Sequence, residues 1–243
     1  AWKGGGTAVS NSDGSITSSV SANTTAGFSV VGWTGTGSNA TVGHGLSQAP
    51  ELIINKSRPG NTSTYQWAVQ SMLWVDASDT NMMYLNSDSA QSDDTNVFQA
   101  APTASVFSPQ GGAWGGIGAA EDYIAYCFHS VEGYCKIGRY DGNGVANGTF
   151  IETGFRPAYV MVKRANNAND WRIFDNKRDP INQNYHRLQA NLNYAEGTET
   201  WNYNDFLSNG FKWRVNDGGY NGSGNYYLYI AFAESPFKYA RAR

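Results

Sequence analysis

Carboxylates are the side chains of this sequence with the widest catalytic use. Glycoside hydrolysis needs two of them about 5–10 Å apart. The candidate pairs are Asp76 with Asp79, Asp93 with Asp94, Glu121 with Asp122, and Glu196 with Glu199. None is distinguished by its surroundings, so we interpret all of them as solvated loop acids.

Histidine and cysteine spacing indicates neither a catalytic triad nor a metal site. His44 lies in a glycine turn, His129 follows an apolar strand, and His186 falls in a polar loop. No Ser-His-Asp triad follows from this spacing. Cys127 and Cys135 are predicted to be free, partly buried thiols. Nucleotide-binding glycine motifs are absent from the sequence, and we expect no cofactor.

Aromatic residues are the better functional candidates, because flat side chains in loops can pack on the apolar faces of sugar rings. Four of them have no partner in the internal repeat described below and are our candidate ligand-binding residues: Trp74, Trp114, Trp201 and Tyr203. Trp114 stands out because glycines surround it in "GGAWGGIG". The alternatives for Trp114 are a contact between repeats or a subunit interface.

The segments predicted to form the strands that position these residues occur twice in the sequence, once in each half. "YIAYCFHS" (Tyr123–Ser130) returns as "YLYIAFAE" (Tyr227–Glu234), and "ELIINK" matches "AYVMVK". Gly37 falls on Gly144 and Gly45 on Gly154 in the same alignment. Two copies of about 100–110 residues indicate a duplicated domain, since solenoid periods are about 20–50 residues.

Composition and turn signals predict an all-β fold. Aromatic residues make up 14 % of the chain and charged residues only 15 %. Asn-Gly and Asp-Gly dipeptides supply the positive φ angles of hairpin turns. We expect two tandem β-sandwich, jelly-roll-like units with little helix, at best a turn or two near residues 191–196. The closing strands are nearly continuous in apolar residues, which is typical of central strands.

The repeat also sets the predicted domain boundaries. Residues 28–133 form the first β-sandwich repeat and residues 134–243 the second. Residues 1–27 lie outside the repeat and are Ser/Thr/Gly-rich, so we predict a connector segment with a strand.

Charge and hydropathy exclude two classes of partner. The formal net charge is −3, whereas nucleic-acid binding needs a basic face. Every apolar run is shorter than the roughly 18–20 residues that span a bilayer. We therefore expect neither nucleic-acid binding nor membrane insertion.

One set of segments is distinctive when taken together: the N-terminal stretch from "AWKGGGTAVS" to "ELIINKS", with "TGFRPAYVMVKR", "WRIFDNKRDP", "DFLSNGFKWR" and "YIAFAESPFKYARAR". This set resembles the C-terminal regions of bacteriophage tail fibre and related tail proteins of marine and environmental phages. The resemblance covers essentially the whole chain. It implies a component of the virion tail, assembled in the bacterial host cytoplasm, and fibre architecture implies a homotrimer. It transfers no catalytic residue onto this sequence.

Three functional hypotheses follow. The first is a non-enzymatic host-recognition module that binds an envelope polysaccharide or envelope protein. The second is a structural fibre or decoration element that contacts other virion proteins. The third, a polysaccharide depolymerase, ranks last because no acid is singled out.

Overall fold

Strands and turns account for the regular structure of the chain in a computed structural model, which describes residues 4–58, 66–73, 81–93, 97–111, 120–198 and 203–236. The strands of each sheet pair antiparallel and no helix forms in these ranges, so the predicted all-β, sandwich-type fold is confirmed. The predicted helical turn near residues 191–196 is wrong. The chain turns there after Gln189, whose carbonyl accepts a hydrogen bond from the Leu192 amide (3.4 Å). None of the described residues belongs to a helix that could span a membrane.

The chain divides into two compact units. The first contains the described residues up to Leu85 together with Ser92–His129, and the second contains Asn86–Gln91 together with the described residues from Ser130 onward. The short segment Asn86–Gln91 therefore belongs to the second unit, where the amide of Gln91 donates to the carbonyl of Ala165 (2.7 Å).

The first unit is a sandwich of an eight-stranded and a three-stranded sheet. Its strands are β1 (Val9–Asn11), β2 (Ser18–Asn23), β3 (Phe28–Thr34), β4 (Val42–Gly43), β5 (Leu52–Ser57), β6 (Ala68–Ser71), β7 (Asn81–Tyr84), β8 (Ser92–Asp93), β9 (Phe98–Ala100), β10 (Val106–Pro109) and β11 (Asp122–Phe128). The large sheet has the order β1-β2-β3-β11-β5-β6-β7-β8, and the small sheet β4-β10-β9. Thus β1 and β2, from the segment before Phe28, extend the large sheet at one edge.

Aromatic and aliphatic side chains fill the space between these two sheets. Trp33 on β3 packs against Phe107 of the small sheet, with ring centroids 5.3 Å apart, and stacks on Tyr123 of β11 at 5.5 Å. Alternate residues of a strand face opposite sides of its sheet. The residues flanking these core positions, such as Gly32 and Thr34, therefore lie on the outer face.

The second unit combines a six-stranded sheet with a three-stranded one. Its strands are β12 (Cys135–Asp141), β13 (Phe150–Glu152), β14 (Pro157–Arg164), β15 (Arg172–Asp175), β16 (His186–Gln189), β17 (Gly197–Thr198), β18 (Asn204–Leu207), β19 (Gly210–Trp213) and β20 (Tyr226–Ala233). The sheets have the orders β12-β20-β14-β15-β16-β17 and β13-β19-β18. Trp213 of the small sheet packs on Phe174 of the large one at 5.6 Å.

The two units share one arrangement of strands. The order β3-β11-β5-β6-β7-β8 corresponds to β12-β20-β14-β15-β16-β17, and the closing strands β11 and β20 are interior strands, each paired on both sides. The paired glycines Gly37 and Gly144 have φ angles of 78° and 71°, a region that side chains with a Cβ rarely adopt. These correspondences support the internal repeat, although descent from one duplicated unit stays a prediction.

The two cysteines are free thiols, as predicted, and both are buried. Cys127 lies in the core of the first unit, where burial raises the pKa of its thiol to about 12. Cys135 lies in the second unit on β12. A thiol with so high a pKa forms little of the reactive thiolate near neutral pH, so Cys127 is a packing residue.

Candidate functional site

The aromatic residues singled out from the sequence are not brought together by the described structure. Trp74, Trp114 and Trp201 lie outside the described residues. Tyr203 lies in the second unit, just before β18, and is partly buried. Its carbonyl accepts a hydrogen bond from the Arg214 amide at 3.1 Å. The ligand-binding role of all four stays a prediction.

A groove of about 620 Å³ crosses the outer face of the large sheet in the first unit. Strands β1, β2, β3 and β11 form it. Its polar lining includes Ser10, Ser19, Ser21, Thr34, Arg58 and Asp122, and its apolar floor includes Val30 and Ile124. We call it the serine-lined groove. The connector segment predicted before residue 28 thus supplies a wall of this candidate site.

Small side chains make this groove. Gly32 lies at its floor on β3, and a Cβ built on Gly32 would come no closer than 3.9 Å to the carbonyl oxygens of Ser19 and Tyr123. The backbone therefore tolerates a side chain at position 32, and the glycine leaves the space above it open. Serines on β1 and β2 continue the same shallow surface.

The second unit has a large side chain at the corresponding position. Trp33 pairs with Tyr123 as Tyr140 pairs with Tyr227, which aligns Gly32 with Arg139. The Arg139 guanidinium lies 4.5 Å from the ring centroid of Tyr226. It also forms an ion pair with Asp141 at 3.0 Å. In the described part of the second unit, moreover, β12 is the edge strand, with no equivalents of β1 and β2. The groove is therefore a property of the first unit.

The polar groups of the groove are only partly engaged by the protein. Thr34 Oγ1 donates to Asp122 Oδ1 at 2.8 Å, and the Arg58 amide donates to the Asp122 carbonyl at 2.7 Å. The Arg58 guanidinium and the hydroxyls of Ser10 and Ser19 have no hydrogen-bond partner among the described residues. A shallow surface with free hydroxyls, a carboxylate and a guanidinium beside an apolar floor suits a ligand with many hydroxyl groups.

Residues 1–236 match a family model described as a domain of unknown function, DUF7483. The chain belongs to the DUF7483 family. No curated protein and no solved structure matches the chain. The DUF7483 match does not test the resemblance to phage tail proteins, which stays a prediction.

Two histidines of the DUF7483 chain have clear structural surroundings. His44 is fully buried; its Nδ1 accepts from the Leu46 amide at 3.1 Å, and its Nε2 lies 3.2 Å from the Thr103 carbonyl oxygen. Burial lowers the pKa of His44, although the Thr103 hydrogen bond and the charge of Asp13 oppose that shift. A neutral imidazole with both nitrogens engaged has no free atom for a ligand. His129 is buried as well.

His186 was predicted to lie in a polar loop, and this prediction is wrong. It begins strand β16 instead of lying in a loop, and its Nδ1 is 2.6 Å from Asp179 Oδ1. The other Asp179 oxygen accepts the amides of Tyr185 and His186. Such a carboxylate fixes the orientation of an imidazole, as in many catalytic sites. However, Nε2 of His186 has no hydrogen-bond partner among the described residues, so no nucleophile is coupled to it there.

Among the residues that the structure describes, the candidate acids form no marked pair. Asp76, Asp79, Asp94 and Glu199 lie outside the described residues. Glu121 accepts the hydroxyl hydrogen of Tyr123 at 2.7 Å, and Glu196 lies 3.6 Å from the Nε of Arg178. Within the described ranges, no group of three or more His, Cys, Asp or Glu side chains is arranged to hold a metal ion.

Proposed function

We propose that this DUF7483 domain is a non-enzymatic recognition module of the phage tail fibre type, and that the serine-lined groove binds bacterial envelope polysaccharide. One observation carries the proposal. The groove presents uncommitted hydroxyl and guanidinium groups and a carboxylate with only one oxygen engaged, on the sheet face where the second unit has the self-paired side chain of Arg139. Because the two units share a strand order, the fold itself does not require the residues that differ between them, such as Gly32 and Arg139. Such residues are therefore available for a function of one unit.

The shape of the groove also supports binding to a chain-like ligand. It runs over four neighbouring strands and its lining is largely made of short side chains, so a sugar chain lies across it without having to enter a closed cavity. Val30 and Ile124 offer apolar contact for the C–H faces of sugar rings, and the flanking hydroxyls offer hydrogen bonds. Shallow sites of this kind bind weakly, and the homotrimer expected of a fibre strengthens them by multivalency.

The experiment is a binding assay of the purified chain against a panel of bacterial surface polysaccharides, with released reducing ends measured in the same wells. Gly32→Arg places in the groove the residue that the second unit has there, and we expect it to weaken saturable binding by about tenfold or more. Gly32→Ala is the matched control, because the structure has room for its methyl group and the groove stays open.

The outcomes separate the hypotheses. Binding that Gly32→Arg weakens and Gly32→Ala retains, without reducing ends, supports the proposal. Binding unaffected by Gly32→Arg rejects the groove as the site, and a Trp114→Ala variant then tests the aromatic candidate from the sequence. Released reducing ends would favour a depolymerase. Silence across the panel would favour a structural role in the virion.

A further inference from the structure

We propose that the serine-lined groove selects acidic polysaccharides, with the Arg58 guanidinium binding the carboxylate of a uronic acid residue. This inference rests on the proposed function and names the class of glycan that the groove takes. Arg58, Asp122 and Thr34 carry it, because they line the same groove and differ in how far their polar groups are engaged.

Arg58 is an exposed cation held at the groove by its backbone. Its amide donates to the carbonyl of Asp122 at 2.7 Å, which fixes where the side chain starts. Its guanidinium has no hydrogen-bond or ion-pair partner among the described residues. Every other arginine in the described ranges has such a partner; Arg139 and Asp141, for example, lie 3.0 Å apart. Arg58 is thus the described arginine with its donors available to a ligand.

A carboxylate is the group that best satisfies this guanidinium. The planar fork of N–H donors matches a carboxylate in two parallel hydrogen bonds, which neutral hydroxyls do not reproduce. Charge-assisted hydrogen bonds of this kind are about twice as strong as those between neutral groups. A neutral glycan would leave part of the charge of Arg58 uncompensated within the complex.

Asp122 favours a ligand that also has a hydroxyl group to donate a hydrogen bond. Asp122 lines the groove, its Oδ1 already accepts from Thr34, and its Oδ2 has no hydrogen-bond donor among the described residues. Arg58 and Asp122 form no ion pair with each other in this structure, so each retains its own binding capacity. The groove therefore requires a ligand with a carboxylate for Arg58 and a hydroxyl donor for Asp122. A uronic acid ring carries both groups, a few ångströms apart.

The experiment measures the affinity of the full chain for alginate oligosaccharides and for the same oligosaccharides after reduction of their carboxyl groups to alcohols. We expect the acidic form to bind about tenfold tighter at low salt. This preference shrinks as ionic strength rises, because the contact is exposed. In Arg58→Gln we expect the two forms to bind within about twofold of each other. Lys136→Gln, which removes one positive charge from an exposed position of the second unit, retains the preference.

Each other outcome overturns the inference in a distinguishable way. Equal affinity for the two forms, or a preference that persists in Arg58→Gln, rejects the role of Arg58. If only neutral glycans bind, and Gly32→Arg weakens that binding, acid selection fails while the proposed function stands. If no glycan shows Gly32→Arg-sensitive binding, both fail. Tighter binding of poly(glycerol phosphate) than of alginate would assign Arg58 to phosphate and reject the carboxylate.

Discussion

Replacement of Lys163 by methionine is expected to abolish a rise in the free energy of unfolding between about pH 7 and about pH 9.5. Lys163 lies on β14 of the second unit and is fully buried. Its Nζ donates to the backbone carbonyls of Asp88 (3.2 Å) and Arg164 (2.7 Å). Burial, followed by the charge of Arg164, lowers the pKa of Lys163 to about 7. Asp88 and Asp170 oppose this shift, and Arg172 adds to it.

The sign and size of the effect follow from proton linkage. Between about pH 7 and about pH 10.5 the unfolded chain holds a proton on Lys163 that the folded chain has released, so stability increases with pH. The folded amine is about half protonated at pH 7 and nearly unprotonated at pH 9.5. Integration over this interval, at 1.36 kcal/mol per pH unit, gives roughly 3 kcal/mol.

The assay is urea unfolding followed by tryptophan fluorescence at the two pH values. The range stops near pH 9.5 because tyrosines of the unfolded chain ionise around pH 10. Lys56→Met on β5 is the control, since the repeat aligns Lys56 with Lys163 and Lys56 is only partly buried. The reasoning is refuted if the wild-type chain gains no stability with pH, or if Lys163→Met keeps the wild-type gain.

Two further predictions concern buried polar residues that affect the stability of each unit. Because burial lowers the pKa of His44, its unfolded form takes up a proton first, and the free energy of unfolding should fall as pH drops below about 6.5. His44→Gln should show a smaller drop between pH 7 and pH 5 in thermal denaturation, and an unchanged drop would contradict this. Asn221→Ala should cost about 3 kcal/mol in urea unfolding, because the buried side chain accepts the amide of Asn143 and donates to the carbonyl of Val215. Asn209→Ala, at an exposed turn, should change stability by less than about 0.5 kcal/mol, and equal costs would refute the role of Asn221.

Much of the fold was predictable because its signals are local or repeated. The apolar closing strands became β11 and β20, each with a neighbouring strand on both sides in its sheet. Glycines aligned between the halves, such as Gly45 and Gly154, both have positive φ angles in the structure. The role of the N-terminal segment as two strands was harder to foresee, because "VSN" and "SSVSAN" are short and largely polar. They join the sheet through the pairing of β2 with β3 and of β1 with β2.

The groove was not predictable because its residues are distant in the sequence and ordinary in type. Asp122 and Arg58 meet only through the pairing of β11 with β5, which places the Arg58 amide on the Asp122 carbonyl. The candidates from the sequence were large aromatic residues without a counterpart in the other repeat, whereas the groove depends on the absence of a side chain at Gly32. The signal that could have found it was present in the alignment of Gly32 with Arg139, a loss of bulk between otherwise similar strands.

Position 32 of the first unit and position 139 of the second differ in how the surrounding polar groups are satisfied. In the second unit, the guanidinium of Arg139 lies over Tyr226 and pairs with Asp141, so that surface satisfies its own polar groups. In the first unit the same three places hold Gly32, Asp122 and Thr34. Thr34 and Asp122 bond to each other, and the space of the missing side chain stays open. The proposed sugar would occupy the space that the Arg139 side chain fills in the second unit, and it would lie beside Asp122 and Thr34 instead of Tyr226 and Asp141.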